Sequence, residues 1–311
     1  MCKKYYHSLT LIKYNQTLVQ QDHTITKSID ISIIIPMYNA EQYISRAIAS
    51  VINQQAHGLF YEIIIIDDVS TDASCKVVKA LNNPHIKLIE LTHNGGTANA
   101  RNQGLKIATG RWIQFLDSDD FICNDLFAKF EKKISPGYNS YLFSVIYEFS
   151  NYNLKQTITY IDDKRAFGHY GSVCNKFIKR EVCLLFKQEF SFEDVCFIFD
   201  MMMETELKIA IIDDAFYYYN CQNTSSKMAN FNAEEFEKMY AYVYSRIDRA
   251  DALTKMFFLE IFVAILFDKQ RPFFMSLRIT IKTLIKLWRY LPNVLRNQNR
   301  KFIISERFSL E

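Results

Sequence analysis

Three carboxylates stand within four positions in Asp117-Ser-Asp119-Asp120, directly after the apolar run Trp112 to Leu116. Acidic groups that close repel one another, and a divalent cation resolves the conflict because hard oxygen ligands suit Mg²⁺ or Mn²⁺. Such ions usually arrive with substrate phosphates, so the stretch points to a phosphate-bearing ligand at a strand end. Taken alone, it reads equally well as a polar turn capping the next helix.

The elements around it decide between the two. Ile31 to Pro36 is a β-branched run apolar on both faces, as strands buried in a parallel sheet require. Pro36, lacking an amide hydrogen, is expected to end the ladder, and Asn39 to cap the following helix. There Ile44, Ala47, Ile48, Val51 and Ile52 recur at helical spacing. A second strand, Glu62 to Ile66, ends in Asp67-Asp68-Val-Ser-Thr-Asp72, and a helical stretch runs to about Leu81. A third, Ile86 to Leu91, meets His93-Asn-Gly-Gly-Thr97, from which a helix capped by Thr97 runs to about Ala108. The acidic stretch closes the fourth strand. This alternation predicts an α/β fold, a mostly parallel Rossmann-like sheet with helices on both faces. Ligands of such sheets bind beyond the carboxyl ends of the strands. Tyr38-Asn39, Asp67-Asp68, Asn94-Gly95-Gly96 and Asp117 to Asp120 all lie there, which favours the ligand reading.

Beyond Phe121 the alternation stops. A helix near Leu126 to Lys132, a strand Ser140 to Glu148, a helix ending near Glu206 and two strands, Lys208 to Ile212 and Ala215 to Tyr219, complete one compact body. From about Ala233 the chain reads helical. Leu277, Ile281, Leu284, Ile285, Leu287, Trp288 and Leu291 form an apolar face, with Arg278, Lys282, Lys286 and Arg289 beside it. Residues 271–301 hold eight Lys and Arg and no Asp or Glu. A basic amphipathic helix of this kind suits an anionic membrane surface, the alternative being a helix packed on the domain. The predicted divisions are an extension over 1–30, a catalytic unit over 31–226, split at 120/121, and a helical basic region over 227–311.

Composition is that of a folded protein: 49% apolar, 23% charged, net charge only +3. That small, unevenly spread charge gives no footprint for nucleic acid. The seven cysteines contain no CxxC pair, which suits reduced thiols and packing. No apolar run of signal length precedes Ile31, so the expected location is cytoplasmic, peripheral at the inner face of a membrane.

Five stretches, Ile33-Ile-Ile-Pro-Met-Tyr-Asn39, Ile66-Asp-Asp-Val-Ser-Thr-Asp72, Ala100-Arg-Asn-Gln-Gly104, Phe115-Leu-Asp-Ser-Asp-Asp120 and Phe192-Glu-Asp194, resemble the motifs of family 2 glycosyltransferases in order and spacing. The resemblance covers about Ile31 to Ser226. It implies a GT-A fold and inverting transfer from a nucleotide-diphosphate sugar, a UDP-sugar foremost, to a saccharide or lipid-linked hydroxyl in cell-surface polysaccharide or lipopolysaccharide synthesis. Position by position, Pro36, Tyr38 and Asp68 match the nucleoside cradle, the Asp68 carboxylate accepting from the base. Arg101 matches a basic residue near the nucleotide, and Asp117 and Asp119 the DxD pair, the second reaching Mn²⁺ or Mg²⁺. Asp194 matches the catalytic base, while Asn175, Lys176, Glu193 and Tyr217 to Asn220 lie on the acceptor side. Val69 replaces a common Gly, and Asn220 a frequent Arg.

Asp194 also reads as part of a Ser191-x-x-Asp194 helix cap; Asn94-Gly-Gly96 could hold phosphate through its amides but lacks P-loop spacing and reads more readily as a plain turn. His169 is a loop residue or an acceptor contact, and Asp72 and Asp120 stand behind the site. Rival functions are a metal-dependent nucleotidyltransferase or phosphotransferase, and a non-catalytic sugar-binding scaffold.

Overall fold

A computed structural model of the chain describes residues 28–55, 58–149, 153–158, 165–168, 172–223, 233–266, 286–287, 290 and 303–308. The expectations for residues 1–27, His169 and most of 271–301 fall outside them.

The first half is built as its apolar runs require. Strands β1 (Ile31–Met37), β2 (Tyr61–Asp67), β3 (Ile86–Glu90) and β4 (Trp112–Phe115) are joined by helices α1 (Ile44–Ile52), α2 (Ser74–Ala80) and α3 (Gly96–Ile107). All four strands run parallel in the order β4-β1-β2-β3. Every residue of β1 and β4 is buried, because helices cover both faces. At the amino ends, Gly110 passes so close to the backbone of Ser32 that an added Cβ would lie 2.4 Å from its nitrogen. The buried Glu62 carboxylate ties this end together, accepting from Ser32, the Thr109 amide and hydroxyl, and Lys87. Burial pushes that carboxyl up, but these donors outweigh it and hold it at about 2.

Pro36 does not end β1; it stays in register with Ile66. The Ile34 carbonyl accepts from Leu116, so Ile34 and, two residues on, Pro36 face β4, whose pairing stops at Ile34. The missing N–H therefore falls where no acceptor waits. Asn39 does not cap α1, which begins at Ile44 without a side-chain cap. Helix α3 likewise begins at Gly96, in a left-handed conformation glycine adopts freely (φ 79°), with Gly95 rather than Thr97 at its cap.

The second half extends the same sheet. β5 (Phe121–Ile122), α4 (Leu126–Lys133), β6 (Ser140–Glu148), β7 (Asn153–Ile158), α5 (Arg165–Gly168), β8 (Lys176–Lys179), α6 (Glu193–Glu204) and β9 (Ile209–Asn220) follow in order. β8 lies antiparallel between β4 and β6, and β9 pairs with β5 and β6. The two strands expected over 208–219 are one, kinked at Asp214 (φ 53°), where the register against β6 shifts.

α6 sits against helices α7 (Ala233–Arg246) and α8 (Ala252–Leu266) through a second apolar cluster that includes Cys196, Phe199, Met239, Val243 and Leu259. The Asp200 carboxylate accepts from the Tyr242 hydroxyl and the Arg246 guanidinium, fixing α6 to α7. In the basic region the helical reading fails at one place: 303–308 forms β10 (Ile303–Phe308), antiparallel to β7 at the sheet edge. The membrane reading is opposed at another. Leu287 is buried in the second apolar cluster, and Lys286 pairs with Asp248 and lies over the Tyr244 ring. Among the described residues no helix is long and apolar enough to cross a membrane.

Candidate active site

The acidic stretch leaves β4 at the carboxyl edge of the sheet, and its three carboxylates face three ways. Asp120 turns inward, accepting from the Tyr217 hydroxyl (2.5 Å) and the Asn220 amide (2.7 Å). Burial, together with the charges of Asp117 and Asp119, pushes its carboxyl well above the ordinary range. The Tyr217 hydroxyl also accepts from the Asp117 amide at 3.3 Å, so β9 holds the turn from below. Asp117 accepts from the Arg101 guanidinium at 2.8 Å. Asp119 is half-buried and accepts from the Asn223 side chain at 2.7 Å.

Arg101 gathers the rest. It lies within α3, is 2% exposed, and joins elements far apart in sequence. One terminal nitrogen donates to Asp117; the other donates to Asp194 and lies 3.7 Å from Glu193. Burial alone would lower its pKa, but the Asp194 and Asp117 charges outweigh that and keep it protonated. Both terminal nitrogens of the guanidinium, expected near a nucleotide, are engaged by carboxylates. One cation thus holds the first acid of the strand end beside Asp194, 75 positions beyond Asp119.

Asp194 is the second residue of α6 and makes no cap; the residue before the helix, Phe192, carries no side-chain cap bond. Ser191 instead donates to Glu235. The capping reading therefore gives way, and the Asp194 carboxylate turns to Arg101. Burial raises its pKa, Arg101 lowers it, and the charges of Glu193 and Asp117 raise it again, leaving it at about 6.

At the far end of the edge, Tyr38 projects into solvent, 52% exposed. Asp68 is buried, and its two oxygens accept from the Gly95 and Gly96 amides at 2.8 and 2.7 Å. The glycine turn spends these amides on Asp68, as a plain turn would, and Asp68 shapes that turn. Asp72 braces the neighbouring loop, accepting from Ser74 and the Glu41 amide. Asn175 and Lys176, expected on the acceptor side, are fully buried. Asn175 donates to the Phe143 carbonyl, and the Lys176 ammonium donates to Asn175 and the Ser172 carbonyl. Burial brings Lys176 down to about 7. Glu193 is buried as well.

Two residues that sequence reasoning missed border the acidic turn. Arg46 donates to the Asp119 carbonyl (3.1 Å) and to Glu148 (3.2 Å) and lies over the Phe121 ring. Asn223 holds Asp119. Arg46 lies on α1 off its apolar face and Asn223 belongs to no patterned stretch, so only the fold brings them in. The six described cysteines are free thiols.

Among the described residues no three His, Cys, Asp or Glu side chains group to hold a metal ion unaided. The residues do fit an ion that arrives with its own phosphate ligands. Burial and the Asp117 charge raise the Asp119 carboxyl, a conflict that a cation shared with phosphate oxygens removes.

A strand-end acidic turn joined by one guanidinium to a carboxylate at a helix start, set on a mixed α/β sheet, fits a GT-A type fold. The chain belongs to glycosyl transferase family 2, whose model matches residues 32–201. It is 46% identical over 107 residues to an uncharacterized glycosyltransferase of Haemophilus influenzae, covering 34% of this chain and 41% of that protein. It is 29% identical over 211 residues to the minor teichoic acid biosynthesis protein GgaB of Bacillus subtilis, covering 63% of this chain and 23% of the other. The chain spans less than half the length of the curated relatives it matches. Its fold is similar to that of S. aureus TarS 1–349 in complex with UDP-GlcNAc, with a TM-score of 0.62 at 22% identity over 74% of this chain and 70% of the other.

Proposed function

We propose that the chain transfers a sugar, with inversion, from a nucleotide-diphosphate sugar to a hydroxyl of a saccharide or lipid-linked acceptor in cell-surface polysaccharide synthesis. The observation that carries this reading is the Arg101 guanidinium joining Asp117 of the strand end to Asp194 of the helix start. The two sides of a displacement are thereby held within reach of one another. GgaB is a teichoic acid biosynthesis protein, and WfgD of Escherichia coli, 44% identical over 97 residues, is a UDP-Glc:α-D-GlcNAc-diphosphoundecaprenol β-1,3-glucosyltransferase. These names, with the UDP-GlcNAc complex of TarS, favour a UDP-sugar donor and an acceptor of that class.

In this reading residues 31–120 hold the donor and 121–226 the acceptor, with 227–311 as a supporting region. The nucleoside lies over Tyr38 at the end of β1, behind which Pro36 continues the strand, and Asp68 keeps the Gly95–Gly96 turn in shape beside it. Asp119 is the residue that would hold a Mg²⁺ or Mn²⁺ ion, which would supply Lewis-acid stabilisation of the leaving diphosphate. Asp194 takes the proton of the attacking hydroxyl as the acceptor oxygen bonds to the anomeric carbon. A carboxyl held at about 6 is mostly ionised at neutral pH yet more basic than an ordinary aspartate, which is the compromise a general base needs. Glu193, Asn175 and Lys176 act behind Asp194, setting its position and field.

Release of nucleoside diphosphate across a panel of nucleotide-sugars, with Mn²⁺ or Mg²⁺ and a diphosphate-linked glycolipid acceptor, tests the reading. Asp119→Asn is expected to lower turnover by orders of magnitude. Formation of inorganic diphosphate from a nucleoside triphosphate would instead identify a nucleotidyltransferase. Unchanged partner binding with no turnover on any donor would identify a scaffold.

A further inference from the structure

Val69 is placed against its own interest. It adopts a left-handed backbone conformation (φ 67°), which a β-branched residue enters only at a cost. The surroundings prevent relaxation. Asp68 donates its amide to the Met37 carbonyl at 2.8 Å, and Asn39 donates its amide to the Ser70 hydroxyl at 2.9 Å. Further on, the Thr71 amide donates to Asn39, the Ala73 amide to Glu41, and the Ala40 amide to Ser74. The loops after β1 and β2 are clasped together, and the conformation at Val69 is over-determined. Between the first two of these cross-links stand just two residues, Tyr38 on one loop and Val69 on the other. Both are apolar, exposed and at the carboxyl edge of the sheet.

We infer that Val69 and Tyr38 are the two sides of a grip on the base of the donor nucleotide, with the Val69 methyls contacting the base directly. This rests on the donor class proposed above and adds a base-contacting residue to it. The strain is retained in the free protein because the left-handed turn aims two methyl groups at a ligand surface, which a glycine could not supply. A planar heterocycle fits the pair: it stacks on the tyrosine ring and covers the valine methyls in one step.

Isothermal titration of the full chain with UDP and GDP, in the presence of Mn²⁺, alongside thermal melting, tests the inference with two variants. Val69→Gly is expected to melt about 2–4 °C higher, because the turn is relieved, yet to bind its preferred nucleotide about three- to tenfold more weakly. Val69→Ala, which keeps the strained turn but lacks the methyls, is expected to show the same loss of affinity. A merely structural residue would not separate stability and affinity in this way. If the wild-type chain binds a nucleotide and both variants bind it equally well, the contact is refuted while the donor class stands. Loss in the glycine variant alone would assign the effect to loop stiffness and also refute it. If no nucleoside diphosphate binds the wild type, both readings fall.

Discussion

Replacing Arg101 with methionine removes the only cation shared by Asp117, Glu193 and Asp194 among their described contacts, while keeping much of the apolar stem. The guanidinium is essentially buried, with Glu193 nearly so and Asp117 and Asp194 partly open. Breaking a buried pair and leaving its partners charged costs about 3–5 kcal/mol, and Asp117 adds least because solvent screens it. The cost depends on pH in a definite direction. Without Arg101 the Asp194 carboxyl rises above the value of about 6 that it now holds, so below that range it is protonated and the repulsion falls away. Urea denaturation is therefore expected to show Arg101→Met more destabilised at pH 8 than at pH 5.5. The acidic limb of its residual kcat/KM should move to higher pH. Adding Asp194→Asn to the methionine variant should return part of the lost stability at pH 8, since one stranded charge is gone. Equal destabilisation at both pH values, with an unmoved acidic limb, would refute the claim that Arg101 governs the ionisation of Asp194.

Three further outcomes follow from the same geometry. Asp194→Asn is expected to lower kcat by about 10²–10⁴, and the wild-type kcat/KM to fall tenfold per unit below about pH 6; a profile flat to pH 4 would contradict it. Glu62→Gln is expected to cost about 3 kcal/mol near neutrality, because a carboxyl held at about 2 against an ordinary 4.5 stabilises the fold above 4.5. That contribution fades as pH falls toward 2, where the variant and wild type should unfold alike in urea. Leu287→Ala is expected to cost about 2–5 kcal/mol as a core truncation, and the intact chain to stay in the supernatant with anionic liposomes. Cosedimentation would restore the membrane reading of the basic helix.

The parts of the fold legible in the sequence are those where one local pattern admits one structure. β1 and β2 read correctly because continuous β-branched runs suit strands buried on both faces of a parallel sheet, and β4 because its largely apolar run is followed at once by the acidic turn. Their carboxyl ends then locate the site without further information. What stayed illegible depends on partners distant in the chain. Pro36 looked like a strand end because its lost hydrogen bond could not be assigned to a side, and it falls on the side where β4 has finished. Ser191 and Asp194 had the spacing of a cap, but Glu235 and Arg101, far away in sequence, compete for them. β10 lies beyond a long basic stretch, and no local signal assigns Ile303–Phe308 to the edge of β7.

The same distinction explains why the electrostatics of the site escaped the sequence while its acids did not. Three of the motifs supply carboxylates, and a motif reports only that the group is there. The charge state of the group is set by what the fold brings against it. Asp117, Asp119 and Asp120 are chemically identical and nearly adjacent, yet one is paired with Arg101, one is raised by burial and its neighbour, and one is buried on Tyr217. Asp120 is raised too, but it is turned inward onto Tyr217 and Asn220, which leaves half-buried Asp119 as the acid that a phosphate-bound cation would relieve. Arg101 appears in the sequence as a single basic residue inside a helix, where a nucleotide contact was the natural expectation. Its two terminal nitrogens reach Asp117 and Asp194 because Arg101 of α3 and Phe197 of α6 both lie against the Phe115 ring at the end of β4. The division of labour among the acids is thus a property of helix packing.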